Sequence, residues 1–156
     1  MKKIRELLSK KTDSRSFFLD ESLVEYIEES STATDQIQRS LIEETSTLGW
    51  VSRMQISHDQ GNFLTMLVKA TQAQFAVEVG TFTGYSALAI ARGLPADAKL
   101  LCCDISEEWT DIARRHWREA EVDQKIDLVL APALETLDKL PLTQNIDFAF
   151  IDADKK

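Results

Sequence analysis

The sequence has few of the residues that mark metal-cluster, disulfide-rich or nucleic-acid-binding proteins. Its 156 residues include only two cysteines, Cys102 and Cys103, and these are adjacent. Neighbouring residues of a strand point to opposite faces, and neither Cys-x-x-Cys spacing nor a nearby histidine accompanies them, so we interpret both as packing residues. Lysine and arginine number 18 against 26 acidic residues, a net charge of −8. This negative balance argues against a DNA or RNA partner.

Long apolar runs are also absent. No stretch of the sequence reaches the length of a membrane span, and the N-terminus lacks the apolar core of a signal peptide. We therefore expect a cytoplasmic protein with no membrane partner. Hydrophobic residues make up 44% of the chain and charged residues 28%, which is typical of a globular domain that buries one core.

The pattern of the chain changes near residue 52. Residues 1–52 are charged and show helical periodicity, so they predict an N-terminal helical arm. Beyond Gln74, apolar strands and helices alternate; the predicted strands are 75–79, 99–104, 126–130 and 146–151, and the predicted helices are 83–92, 107–120 and 133–140. Strands joined by helices form right-handed crossovers in a parallel sheet. We predict an α/β domain over residues 53–156, with helices on both faces of a parallel sheet.

The turn after the first predicted strand is the most informative segment. Gly80 and Gly84 flank a short turn that leads into a helix beginning near Tyr85. A glycine turn lets a ligand approach the backbone, and the helix start offers unpaired N–H groups and the positive end of its dipole. The spacing is Gly-x-x-x-Gly, not the Gly-x-Gly-x-x-Gly of dinucleotide binders, which disfavours a nicotinamide-dependent dehydrogenase.

The second predicted strand ends at a carboxylate, Asp104. In a parallel sheet this side chain lies beside the first glycine turn, where a carboxylate can accept both hydrogen bonds of a ribose diol. The alternative is structural: Asp104 ends the strand, and Ser106 caps the next helix. The strand–turn–helix–strand order of the two features favours a cofactor site.

Several segments, in order, resemble the cation-dependent O-methyltransferases, the family of caffeoyl-CoA and catechol O-methyltransferases. They are Ser57-x-x-x-Gly61-x-Phe63-Leu64, the glycine turn from Val77 to Ser86, Cys103-Asp104-Ile105-Ser106, Pro132-Ala133-Leu134 and Ile151-Asp152-Ala153-Asp154-Lys155. The resemblance implies a Rossmann-like methyltransferase fold and S-adenosylmethionine as the cofactor. It also implies that the C-terminal strands of that fold are missing from these 156 residues.

The same resemblance implies roles for individual residues. Glu78, with the backbone of Gly80 and Thr81, would hold the methionine end of the cofactor. Ser86 would bind its carboxylate, and Asp104 would bind the ribose hydroxyls. The remaining residues implied around the cofactor are Ile56, Ile105, Ala133 and Asp154.

The resemblance further implies a divalent cation, such as Mg²⁺, bound by Asp152, with Lys155 as the catalytic base. A phenol has a pKa of about 10, so methyl transfer at neutral pH requires that its oxygen be made anionic. A hard cation achieves this by binding two adjacent oxygens of a small phenolic acceptor of the catechol or hydroxycinnamoyl type. The family's other metal ligands, an Asp-Asn pair on a following strand, have no counterpart here, so Asp152 alone would not complete the site.

The last predicted strand, 146–151, is apolar enough to be central in a sheet. An exposed edge of this kind pairs with other chains, so either a second copy, another segment or further residues must cover it. Of these we favour further residues beyond Lys156 as the cover of the edge, and we also expect a homodimer. A second hypothesis for the whole chain is a non-catalytic module of methyltransferase fold that binds S-adenosylmethionine or a partner protein.

Overall fold

The computed structural model describes residues 21–153. Internal contacts divide the chain into two compact units, one ending at Ala33 and one beginning at Thr34. In the first unit, helix α1 spans Glu21–Ser30, and the hydroxyl of Ser31 donates to the carbonyl of Ile27 at its end, at 2.6 Å.

The second unit holds a four-stranded parallel sheet in the order β3-β2-β1-β4. Its elements are α2 (Gln36–Ser46), a 3-10 turn (Gly49–Met54), α3 (His58–Thr71), β1 (Phe75–Val79), α4 (Tyr85–Gly93), β2 (Lys99–Asp104), α5 (Glu107–Glu119), a second 3-10 turn (Asp123–Lys125), β3 (Ile126–Leu130), α6 (Ala133–Leu137) and β4 (Phe148–Ile151). The predicted parallel α/β architecture is confirmed. This unit includes α2, whereas the sequence places the boundary of the sheet domain near residue 52.

The strand register brings the carboxyl ends of three strands together. Val79, the last residue of β1, pairs with Cys103 of β2 and with Ile151 of β4. Asp104 and Asp152 therefore follow on either side of the turn that leaves β1. Ligands of parallel α/β sheets bind outside this edge, so the register assembles the predicted site residues where a ligand would bind.

Helix α4 is held firmly beneath this edge. Eight of its nine residues are buried, and most of them are small. The Thr65 hydroxyl of α3 donates to the carbonyl of Ala89 at 2.8 Å, and a Cβ added to Gly93 would lie 2.8 Å from the Thr65 carbonyl oxygen. This close packing against α3 fixes the direction of α4, and with it the position of its N-terminus at the carboxyl edge of the sheet.

In the part of the chain that the structure describes, β4 has β1 as its only strand neighbour. All four residues of β4, Phe148–Ile151, are apolar, and Ile151 is 69% exposed. The backbone groups and apolar side chains of this edge are therefore available for further strand pairing.

Candidate functional site

A cleft of about 1070 Å³ opens at the carboxyl ends of β1, β2 and β4. The turn after β1 and the first residues of α4 form one wall, and the 3-10 turn Gly49–Met54 with the residues after it forms the opposite lip. Trp50 stands on this lip with 81% of its surface exposed. The cleft thus combines a helix N-terminus, a carboxylate and an exposed aromatic side chain.

The structure brings nearly all of the predicted site residues into this one cleft. Those that line it are Ile56, Gly80, Thr81, Ser86, Asp104, Ile105, Ala133 and Asp152. Glu78 is fully buried and does not line the cleft. Asp154 and Lys155 lie outside the described residues. The individual roles of all these residues in binding and catalysis stay predictions.

The carboxylate of Asp104 joins two loops of the cleft. Its Oδ2 accepts hydrogen bonds from the backbone N–H groups of Thr81, at 2.7 Å, and Phe82, at 2.8 Å. Its Oδ1 accepts from the N–H groups of Ile105, at 2.7 Å, and Ser106, at 2.8 Å. A carboxylate has about four acceptor positions, so all of them are in use. A ribose diol at this point must share these positions or replace some of the N–H donors.

The structural roles considered for this segment are also observed: Asp104 is the last residue of β2, and Ser106 is the N-cap of α5. The Ser106 hydroxyl accepts from the backbone N–H of Trp109 at 3.3 Å, so it caps α5. Capping and ligand binding are compatible here, because Ser106 caps through its side chain while Asp104 faces the cleft.

The turn after β1 needs its glycines for conformational and steric reasons. Gly80 has φ +90° and Gly84 has φ +84°, both in the left-handed region. A Cβ on Gly80 would lie 2.7 Å from backbone atoms of Ala153. Trp117 Nε1 donates to the carbonyl of Gly84 at 3.0 Å, which fixes the start of α4 against α5. Phe82, itself at φ +51°, packs edge-on against the ring of Trp109, with centroids 5.0 Å apart.

Glu78 is a buried carboxyl beneath this turn. Its side chain is 0% exposed, its Oε1 has no hydrogen-bond partner among the described residues, and its Oε2 accepts from the thiol of Cys102 at 3.5 Å. Burial raises the pKa of Glu78 to about 7, and the nearby hydroxyls of Ser86 and Thr81 offset only part of that rise. A carboxyl in this setting changes its charge near neutral pH.

A polar network behind the cleft was not predicted from the sequence. Gln38 Nε2 of α2 donates to the hydroxyl of Tyr85 at 3.2 Å, and Nδ1 of His58 lies 3.0 Å from the same oxygen. Burial raises the pKa of Tyr85 to about 12, so the hydroxyl stays protonated. A second contact joins the hydroxyls of Thr45 and Thr83 at 2.9 Å. Helices α2 and α3 therefore brace the turn that forms the cleft wall.

The described residues do not form a complete metal site. No group of three or more His, Cys, Asp and Glu side chains that could hold a metal ion occurs among residues 21–153. Asp152 supplies one carboxylate next to β1, where its N–H donates to the carbonyl of Val79 at 2.9 Å. Mg²⁺ needs more oxygen ligands than this side chain offers.

Among residues 21–153, no helix is long and apolar enough to span a membrane.

The buried carboxyl leads to a prediction on stability. Because the folded-state pKa of Glu78 is raised from 4.5 to about 7, its contribution to stability is fully present below pH 4.5 and is lost as pH rises through 7. Relative to the wild type, Glu78→Gln is expected to gain about 2–3 kcal/mol between pH 5 and pH 8. Urea unfolding at both pH values measures this difference. Glu108→Gln, an exposed change on α5, is the control; an equal gain in that variant would contradict the assignment.

These observations define a class of protein: a parallel α/β domain with a cleft at the carboxyl edge of its sheet. The model of the O-methyltransferase family matches residues 28–156, and the chain belongs to this family. Catechol O-methyltransferase domain-containing protein 1 of Mus musculus is 44% identical over 101 residues, which cover 63% of this chain and 38% of the mouse protein. The caffeoyl-CoA O-methyltransferase of Medicago sativa is 37% identical over 147 residues, 90% of this chain and 59% of that one.

The fold is shared with solved methyltransferases. The crystal structure of an O-methyltransferase from Bacillus cereus in complex with SAH matches with a TM-score of 0.78 and 28% identity, over 86% of this chain and 61% of that one. The predicted Rossmann-like methyltransferase fold and the resemblance to the caffeoyl-CoA and catechol O-methyltransferases are thus confirmed. The chain spans about three fifths or less of the length of these three relatives.

Proposed function

We propose that this chain binds S-adenosylmethionine and belongs to an enzyme that transfers its methyl group to a hydroxyl of a small acceptor. The observation that carries the proposal is the cleft itself, which places the N-terminus of α4 and the carboxylate of Asp104 at one edge of the sheet in a chain of the O-methyltransferase family. The Bacillus cereus relative, which shares the fold, was solved with SAH.

The residues of the cleft suit the parts of this cofactor. The N-terminus of α4 with Ser86 offers N–H and hydroxyl donors for a carboxylate. Asp104 binds the ribose hydroxyls by sharing its acceptor positions with the backbone N–H groups of Thr81, Phe82, Ile105 and Ser106, or by replacing some of them. Ile105, which is 79% exposed, and Ala133 offer an apolar surface against which an adenine ring can pack. The Oε1 atom of Glu78 lies beneath the turn and has no hydrogen-bond partner among the described residues, so it is suited to accept a hydrogen bond from a cationic amino group. When bound, the cofactor supplies an electrophilic methyl group on its sulfonium sulfur.

We further propose a divalent cation and a phenolic acceptor with two adjacent oxygens. Asp152 would supply one carboxylate to the cation, with the other ligands outside the described residues, and Lys155, also outside them, would be the base. The position of Asp152 at the edge of the cleft supports this proposal. The exposed ring of Trp50 on the lip offers a surface against which a planar acceptor can stack.

Methyl transfer tests this proposal directly. The protein, together with any residues that follow Lys156 in its natural form, is incubated with S-adenosylmethionine and a panel of catechols and hydroxycinnamoyl thioesters, with Mg²⁺ and then with a chelator. We expect methylation of acceptors with two adjacent oxygens, and its loss in chelator. Full activity in chelator, or a preference for monophenols, would refute the role of the cation. Cofactor binding in calorimetry without turnover on any acceptor would favour the alternative, a non-catalytic module, which the incomplete carboxylate cluster among the described residues supports.

We also propose that the protein is a cytoplasmic homodimer that pairs through the outer edge of β4. Ile151→Lys would place a charge on that edge and is expected to shift the protein from dimer to monomer in light scattering. Leu142→Lys is the matched control, because Leu142 is fully exposed outside the strands. A monomeric wild type, or a dimer that survives Ile151→Lys, would overturn the proposed interface.

A further inference from the structure

The feature that carries a further inference is the carboxyl group of Glu78, in the middle of the sheet and beneath the cleft. Its register neighbours on the two adjacent strands are Cys102 of β2 and Phe150 of β4. Among the described residues, none of the ion pairs involves Glu78, and Oε1 has no hydrogen-bond donor. A carboxylate buried in this way lacks the partners that a charge needs.

The groups that face Glu78 from the surrounding elements do not supply a positive charge. From β2 come the thiol of Cys102, whose own pKa is raised by burial, and the carboxylate of Asp104, whose negative charge disfavours ionisation of Glu78. From the turn and α4 come only the hydroxyls of Thr81 and Ser86. Burial and the charge of Asp104 favour the neutral acid, whereas the hydroxyls of Ser86 and Thr81 and the thiol of Cys102 favour the carboxylate, and burial outweighs them.

The cleft provides the route by which a cation can reach this group. Thr81 and Ser86 interact with Glu78 and also line the cleft, so the carboxyl lies directly behind the cleft wall at this end. An opposite charge within about 4–6 Å lowers the pKa of a carboxyl by 1–3 units. A ligand with an ammonium group at this end of the cleft would therefore change the charge of Glu78.

We propose that Glu78 is a proton-releasing site: it is partly protonated in the free protein at neutral pH and ionises fully when the ammonium group of the cofactor occupies the adjacent end of the cleft. The proton passes to solvent, and the carboxylate and the ammonium remain as a buried ion pair. This inference rests on the proposed function, because it assumes that S-adenosylmethionine or SAH binds in this cleft. It adds that affinity for such ligands rises with pH across the range in which Glu78 titrates.

Calorimetry of the 156-residue chain with SAH measures the released proton. Titrations at one pH in buffers of different ionisation enthalpy give the number of protons released per ligand bound. With the pKa of free Glu78 at about 7 and a fall of 1–3 units on binding, we expect about 0.4–0.5 proton at pH 7 and about 0.4–0.9 proton at pH 6. Glu78→Gln is expected to release none, whereas Glu108→Gln, on the exposed face of α5, is expected to match the wild type.

A second ligand and a second measurement keep the test independent of the variant's folding. The neutral nucleoside 5′-methylthioadenosine lacks the amino-acid end, so it is expected to bind wild-type protein without proton release. In infrared difference spectra, SAH is expected to remove the carbonyl band of a protonated carboxyl, while 5′-methylthioadenosine leaves it unchanged.

The outcomes separate the two ideas. Binding of SAH with no proton release, with proton uptake, or with equal release in Glu78→Gln overturns the role of Glu78 and leaves the proposed function standing. The absence of any SAH binding overturns the proposed cofactor site, and this inference with it.

Discussion

Substitution of Gly84 by alanine is expected to lower the free energy of unfolding by about 3 kcal/mol or more. Gly84 has φ +84°, which strains any residue with a Cβ. The added Cβ would also lie 2.4 Å from the Cβ of Ala113 and 2.8 Å from the ring of Trp117. Helix α5 would have to move away, and the hydrogen bond from Trp117 Nε1 to the carbonyl of Gly84 would weaken.

Gly49→Ala separates the two causes of this loss. Gly49 has φ +71°, but a Cβ there would meet nothing within 4 Å. The control variant therefore reports backbone strain alone, for which we expect about 1 kcal/mol. Urea unfolding followed by tryptophan fluorescence measures both variants. Equal losses in the two would show that the contact with α5 does not limit this position.

Asp104→Ala is expected to have the second-largest effect, and on two properties at once. Four backbone N–H groups lose their acceptor, so the free energy of unfolding should fall by about 2–4 kcal/mol, since hydrogen bonds to a charged group contribute about 1.5–3 kcal/mol each and water replaces some of them. Binding of S-adenosylmethionine should weaken at least tenfold, because two loops of the cleft separate and the ribose loses its acceptor.

Asp127→Ala is the matched control for this substitution. Asp127 is an exposed aspartate of β3 that, among residues 21–153, forms one ion pair, a 3.6 Å contact with Lys99, so its removal should cost less than about 1 kcal/mol. Denaturant unfolding gives the stability of both variants, and calorimetry well below their midpoints gives the affinity. If Asp104→Ala kept the wild-type affinity, Asp104 would have only the structural role.

The parts of the fold that the sequence predicted well are those that local patterns determine. The strands β1, β2 and β3 occur at 75–79, 99–104 and 126–130 as predicted, because each is a short apolar run bounded by turn residues. Helix α6 is shorter than predicted. The helix ends at Leu137 because Pro141, three residues after its C-cap, disfavours helical backbone before it. The residues between them form turns, one of which is closed by a hydrogen bond from the Leu140 N–H to the Leu137 carbonyl.

In the candidate site, too, some features could be predicted from local sequence and others could not. Gly80, Asp104 and Asp152 share one edge because they end or follow neighbouring strands, and sequence order predicts this. The contacts of Tyr85 could not be predicted, since Gln38 lies 47 residues and His58 27 residues away along the chain. The use of every acceptor position of Asp104 by backbone groups also depends on the path of two turns, which no residue pattern specifies.

The contacts of α2 with the turn after β1 determine where a shortened fragment of this protein can begin. A fragment started at residue 53, the boundary that composition favours, would keep the four described strands yet leave Thr83 and Tyr85 without the hydroxyl of Thr45 and the amide of Gln38. Leu41, fully buried, would be removed from the core as well. The smallest piece fit for crystallisation or for transplanting the cleft into another protein therefore begins at Thr34, ahead of the capping aspartate Asp35.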